Sequence, residues 1–108
     1  MLHIALATIA AAGALCVAAS GAAAAAPAKH TVTIADMRYE PAVLTVKKGD
    51  SVTFVNKDIF PHTATAAGQF DSRTIEPQRK WTFRAMRAGE FPYICTLHPN
   101  MKGTLKVE

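Results

Sequence analysis

The first 28 of the 108 residues contain no aspartate, glutamate, lysine or arginine. All 12 basic and 8 acidic side chains lie in residues 29–108, and so does the formal net charge of +4. Cysteine is nearly absent as well. Cys16 and Cys95 are the only two, and only Cys95 lies in the charged part. A chain cut between the two parts would keep one thiol and could form no internal disulfide. Beyond residue 30 there is no low-complexity tract, no charge block, no repeat and little helical periodicity. That excludes repeat arrays and coiled coils. The length admits one domain, which excludes large multidomain enzymes.

Residues 2–26 are small or apolar apart from His3. An apolar run followed by small residues reads as a secretory signal peptide over residues 1–28. Ala26-Pro27-Ala28 has the small-x-small pattern that would release a mature domain at residues 29–108; a cut within residues 22–26 is the alternative. The front Met1-Leu2-His3 lacks the usual lysine or arginine. The rival reading is an uncleaved helical anchor, since such an uncharged stretch is long enough to span a bilayer. Its Ala and Gly content makes a weak span, and no basic flank follows directly. Leu15 before Cys16 disfavours lipidation of that cysteine.

The charged part alternates in short runs separated by turn residues, which predicts an all-β sandwich of about seven to eight strands. His30–Asp36 places Val32 and Ile34 on one face, and Ser51–Asn56 does the same with Val52 and Phe54. Further strands are expected at Ala42–Lys47, His62–Ala66, Lys80–Met86, Phe91–Cys95 and Gly103–Glu108, with Gly68–Pro77 as a loop. Lys48-Gly49-Asp50 reads as a turn. Side chains alternate along a strand, so an inward Phe91 and Tyr93 also turn Cys95 inward at the strand end.

Cys95-Thr96-Leu97-His98-Pro99-Asn100-Met101 sets a thiol, an imidazole and a thioether three residues apart. A second imidazole, His62, lies 33 positions upstream at the start of an expected strand. Alone, each has a plainer role: a small buried hydrophobe, a surface histidine, core filler, a polar group at a strand end. Together they match two His and one Cys around copper with a weak axial Met. Zinc would favour more thiolates or a fourth strong ligand. His62, Cys95, His98 and Met101 are therefore the candidate ligands of one type 1 copper ion, with no catalytic residue besides.

From about Thr31 to Glu108 the chain resembles the cupredoxins, most closely the amicyanin branch and then the pseudoazurins. The likeness rests on Met37-Arg38-Tyr39-Glu40, Val46–Asn56, Pro61-His62, Ala88-Gly89-Glu90-Phe91, Tyr93, Cys95 to Met101, and Gly103. It implies a Greek-key β-sandwich with copper at one end, and an Asn56 that tethers the cysteine loop by backbone hydrogen bonds. Thr63 stands where the family often has Asn, so the resemblance carries no second polar hinge. Asn100 stands where the nearest relatives have an aromatic residue.

The leading functional reading is a monomeric periplasmic electron carrier, free of the membrane after cleavage. His62 is expected to be buried and His98 to present its ring edge at the surface. Ile59, Phe60, Pro61, Leu97 and Pro99 would form an apolar rim around His98 for a redox partner protein, a dehydrogenase or a cytochrome. Packing of Ile59 and Phe60 into the sandwich is the alternative. Lys47, Lys48, Lys57, Arg73, Arg79, Lys80, Arg84 and Arg87 would steer an acidic partner or simply solvate the surface. Copper delivery or resistance is the second reading, though no Met- or His-rich tract supports it. An oxidase or nitrite reductase would need more histidines than His30, His62 and His98. A bare interaction module would not need all four ligands. Nucleic acid is excluded as a partner, since no recognition motif is present.

Overall fold

The computed structural model describes His3 and residues 26–108. The signal-peptide reading and Cys16 fall almost wholly outside the described residues. Among those residues there are nine strands: β1 (Lys29–Ala35), β2 (Arg38–Glu40), β3 (Val43–Val46), β4 (Ser51–Asn56), β5 (Thr65–Ala66), β6 (Phe70–Asp71), β7 (Lys80–Arg84), β8 (Gly89–Cys95) and β9 (His98–Val107). No helix among them is long and apolar enough to cross a membrane.

Two sheets form. One has the order β2-β1-β4-β7 and the other β3-β9-β8-β5-β6. The pairs β1/β4 and β3/β9 are parallel, and the remaining pairs are antiparallel. This is the all-β sandwich expected from the alternation. Val32, Ile34, Val52 and Phe54 are inward and at most 1% exposed. Tyr39 of β2 extends that buried face, and Tyr93, Leu105 and Val107 meet it from the other sheet. Each fully buried side chain of this size stabilises the fold by about 1.5–3 kcal/mol.

Edge-to-face rings bind the two layers. Phe54 of the first sheet meets Tyr93 of the second at 5.3 Å between centroids and an interplanar angle of 88°. Tyr39 meets Tyr93 at 4.7 Å and 75°. Such contacts add about 0.5–1.5 kcal/mol beyond burial.

Three departures from the alternation have local causes. Asp36 and Met37 both adopt positive φ, 49° and 59°, and close a two-residue hairpin that adds β2. The Asp58 carboxylate stabilises that turn by accepting the Met37 N–H at 3.0 Å. The stretch 62–66 is broken: His62 pairs with Ile75 as an isolated bridge, and only Thr65 and Ala66 continue as β5. Phe70 packs on Phe83 at 4.7 Å, which draws β6 out of the expected loop. At the other end, the turn at 47–50 forms as expected, with Gly49 at φ +98° and the Asp50 N–H bonded to the Lys47 carbonyl at 2.9 Å.

Asp50 anchors the first residues of the domain at the end opposite Cys95. Its carboxylate accepts the Ala28 N–H at 2.9 Å and the Lys47 N–H at 3.0 Å, and contacts His30 Nε2 at 2.9 Å. These bonds lower its pKa from 3.8 to about 2, with the His30 bond contributing most. The Ala28 carbonyl accepts the Ser51 N–H at 3.0 Å, so Ala28 already belongs to the sheet.

Candidate metal centre

Strand parity delivers Cys95. Tyr93 and Cys95 both point inward from β8 and are 2% and 0% exposed. The strand ends there, Thr96 and Leu97 turn, and β9 begins at His98 directly opposite Cys95. This brings His98 Nδ1 to 3.7 Å from Cys95 Sγ. Met101 follows on β9, buried, and lines the same shallow groove as His98.

His62 arrives from the other sheet on the loop that follows β4. Its Nδ1 also stands 3.7 Å from Cys95 Sγ. Asn56, fully buried, shapes that loop. Its Nδ2 donates to the carbonyls of Phe60 at 2.8 Å and Ile75 at 2.9 Å, while its Oδ1 accepts the Asp58 N–H at 2.9 Å. This corrects the expected role of Asn56. Its side chain fixes the histidine loop and its Ile75 neighbour, not the cysteine loop, because the chain reverses over it immediately after β4.

The tether between the two loops comes from Thr63. Its Oγ1 accepts the Thr96 N–H at 2.9 Å and the Thr65 hydroxyl at 3.0 Å. Its backbone N–H donates to Cys95 Sγ at 3.3 Å, and its carbonyl accepts the Tyr39 hydroxyl. Thr63 therefore supplies the polar hinge that an Asn-to-Thr exchange seemed to remove. Burial, with Cys95 and Tyr93 close by, raises the pKa of the Tyr39 hydroxyl and keeps it a donor.

Asp58 is the residue that sequence reasoning missed. Its Oδ2 contacts His62 Nε2 at 2.9 Å. Burial alone would raise its pKa, but bonds from His62 and from the N–H groups of Met37 and Ile59 outweigh it and lower it. An ionised carboxylate only accepts, so it holds the His62 proton on Nε2 and leaves Nδ1 with a free lone pair toward Cys95. The available signal was an acid four residues before His62 on the same loop.

His62, Cys95 and His98 each offer a donor atom, all within 4.8 Å of one another. The spacing fits one metal ion. A nitrogen at about 2.0–2.1 Å and a sulfur at about 2.3 Å from a common centre stand about 3.6 Å apart in a tetrahedron and about 3.8 Å in a trigonal plane. The observed 3.7 Å lies between. The mixture of imidazole and thiolate suits copper in both oxidation states.

A model of the cupredoxin-like domain matches residues 6–107. The chain is a cupredoxin. It is 35% identical to the amicyanin of Paracoccus denitrificans over 71% of its length, and that match spans 63% of the relative. It is 33% identical to amicyanin-alpha of Methylorubrum extorquens over 96% of its length and 93% of the relative. Among solved structures, a reduced amicyanin variant superposes with a TM-score of 0.68 at 34% identity, over 74% of this chain and 82% of that one. The metal that belongs in this cupredoxin is therefore copper.

The surroundings of this cupredoxin's site follow the expected polarity. His62 is wholly buried and His98 half-buried. Ile59, Phe60 and Leu97 are 79%, 47% and 49% exposed, and Pro99 is exposed beside them. Phe60 stays out of the core, its ring centroid 6.3 Å from that of His98. The eight lysines and arginines singled out in the sequence are all exposed.

Proposed function

We propose that this cupredoxin is a one-electron carrier that holds a single type 1 copper with His62, Cys95, His98 and Met101. The observation that carries the reading is the triangle of His62 Nδ1, Cys95 Sγ and His98 Nδ1, with only the His98 ring reaching solvent. Copper bound there supplies a one-electron Cu(I)/Cu(II) couple. Every other part of the task belongs to the chain. Cys95 binds as a thiolate and keeps the Thr63 N–H donor. Asp58 orients His62, and the Thr63–Thr96 bond holds the two ligand loops at fixed spacing. Met101 would supply a weak thioether donor that tunes the potential. The His98 edge, inside its apolar rim, is the contact for a redox partner protein, and the chain works as a monomer.

The proposal extends to processing. The apolar leader directs the chain to the bacterial periplasm and is then removed. The two Ala28 hydrogen bonds favour the cut within residues 22–26, because a cut after Ala28 would strip Asp50 and Ser51 of a partner. Copper delivery, the second reading, has no support from an open site: Cys95 and His62 are both 0% exposed.

The test is a titration of the purified metal-free chain with Cu(II), followed by absorption. The expected result is an intense visible band that ascorbate bleaches, lost in Cys95→Ser. A colourless complex, or binding of Cu(I) alone, would overturn the electron-carrier reading.

A further inference from the structure

One methionine on the wall of the groove beside the centre has no place in the ligand set. Met37 is 37% exposed and shares a groove with Leu97, His98, Pro99, Asn100 and Met101. The groove is the side from which the centre opens, since His62, Cys95 and Met101 are buried and His98 is not. Among the described residues, no carboxylate lines it. The Asp58 carboxylate is turned to His62 and to the Met37 N–H.

The backbone makes the choice of methionine notable. The hairpin holds Met37 at φ 59° and Asp36 at φ 49°. Two-residue hairpins with both positions in this region favour Asn-Gly or Asp-Gly, because a long side chain is strained there. A methionine at the second position goes against that preference. The Asp58 bond to its N–H fixes the turn, so Met37 keeps its place on the wall of the groove that it shares with His98.

Thioether and imidazole donors without carboxylate select a soft monovalent ion over hard divalent ones. We propose that Met37 and His98 form a landing site for Cu(I) at the mouth of the centre, from which the ion passes inward to Met101 and Cys95. The proposal rests on the ligand assignment made above. The transfer changes no oxidation state. The donor's ligands are exchanged for Met37 and His98, and then Met37 is exchanged for the buried donors. The Cys95 thiol releases its proton as its bond to the ion forms.

The test uses the full metal-free chain and two copper sources. Cu(I) is presented as its coloured bicinchoninate chelate, whose bleaching reports transfer. Cu(II) is presented as the sulfate, and growth of the visible band reports loading. Met37→Leu keeps the size and apolar character of the side chain and removes the sulfur. Met37→Asn also removes the sulfur and suits the positive φ better, so it folds even if the leucine variant does not. The expected result is several-fold slower Cu(I) transfer in both variants, with Cu(II) loading and the final spectrum unchanged. Equal Cu(I) rates in wild type and variants would overturn the landing site. Equal slowing with both ions would also overturn it, since the turn would then act by shape alone. Absence of a visible band with Cu(II) in wild type would instead overturn the ligand assignment, and the landing site with it.

Discussion

Tyr93 of β8 stands directly opposite Gly103 of β9, and its ring fills the space that any side chain at 103 would need. A Cβ at Gly103 would overlap both the ring and the hydroxyl. The ring cannot swing away, because Tyr39 and Phe54 hold it edge-on from the other sheet. Gly103→Ala is therefore expected to destabilise the domain by about 1–3 kcal/mol, the usual cost of overpacking. Urea unfolding of the metal-free chain measures this, and an unchanged midpoint would count against the packing account.

The same tyrosine makes an opposite prediction. Its hydroxyl is buried and has no hydrogen-bond partner among the described residues. An unmatched buried hydroxyl carries a desolvation cost of about 1–3 kcal/mol. Removing it in Tyr93→Phe should leave stability unchanged or raise it, by the same unfolding assay. A clear loss of stability would mean that the hydroxyl has a partner in solution.

Asp50 should shape the acid limb of stability. Its folded pKa is lowered from 3.8 to about 2. Between those values the unfolded chain binds more protons than the folded one, so stability falls as pH falls from about 4 toward 2. Above about pH 4 the contribution is fully present. Asp50→Asn should flatten this part of the pH profile and lower stability at neutral pH. A variant with an undiminished acid slope would assign that slope to other carboxylates.

Asp58 is predicted to act on the metal through His62. Loss of a partner that orients a ligating histidine typically costs about 10–100-fold in metal affinity. Asp58→Asn keeps the size of the side chain and loses the ionised acceptor. Competition with a chelator of known affinity should show weaker copper binding, and the reduction potential should move while the visible band persists. Unchanged affinity and potential would reduce Asp58 to a loop-shaping role.

What the sequence displayed was the strictly periodic part of the molecule. The alternation in β1, β4 and β8 was legible because one face of each strand is buried against the opposite sheet. The same parity placed Cys95, and with it His98 and Met101. Short elements were not legible: β6 has two residues, and Phe70 joins a sheet only because Phe83 lies beneath it. The β2 hairpin was hidden because Asp-Met is an unfavourable turn pair, sustained by a carboxylate 21 residues away. Side-chain hydrogen bonds of this kind, from Asn56, Asp58 and Thr63, depend on how loops pack and leave no period in the chain.

Thr63 gives the sharpest test of how the His62 and Cys95 loops are held together. Its hydroxyl oxygen accepts the Thr96 N–H at 2.9 Å, and Thr96 immediately follows Cys95. Thr63→Val keeps the shape and removes the acceptor, leaving that N–H without its partner. Stability should fall by about 1–3 kcal/mol, since the Thr96 N–H and the Thr65 hydroxyl both lose this acceptor and each such bond is worth about 0.5–1.5 kcal/mol. Hydrogen exchange at the Thr96 amide should accelerate, while that at Val52 in the core should change only as far as global stability does. Thr63→Asn can offer a carbonyl oxygen to the same N–H and should restore slow exchange. Accelerated exchange in the valine variant that asparagine fails to reverse would mean that the hinge depends on the threonine hydroxyl network with Thr65 and not on a single acceptor.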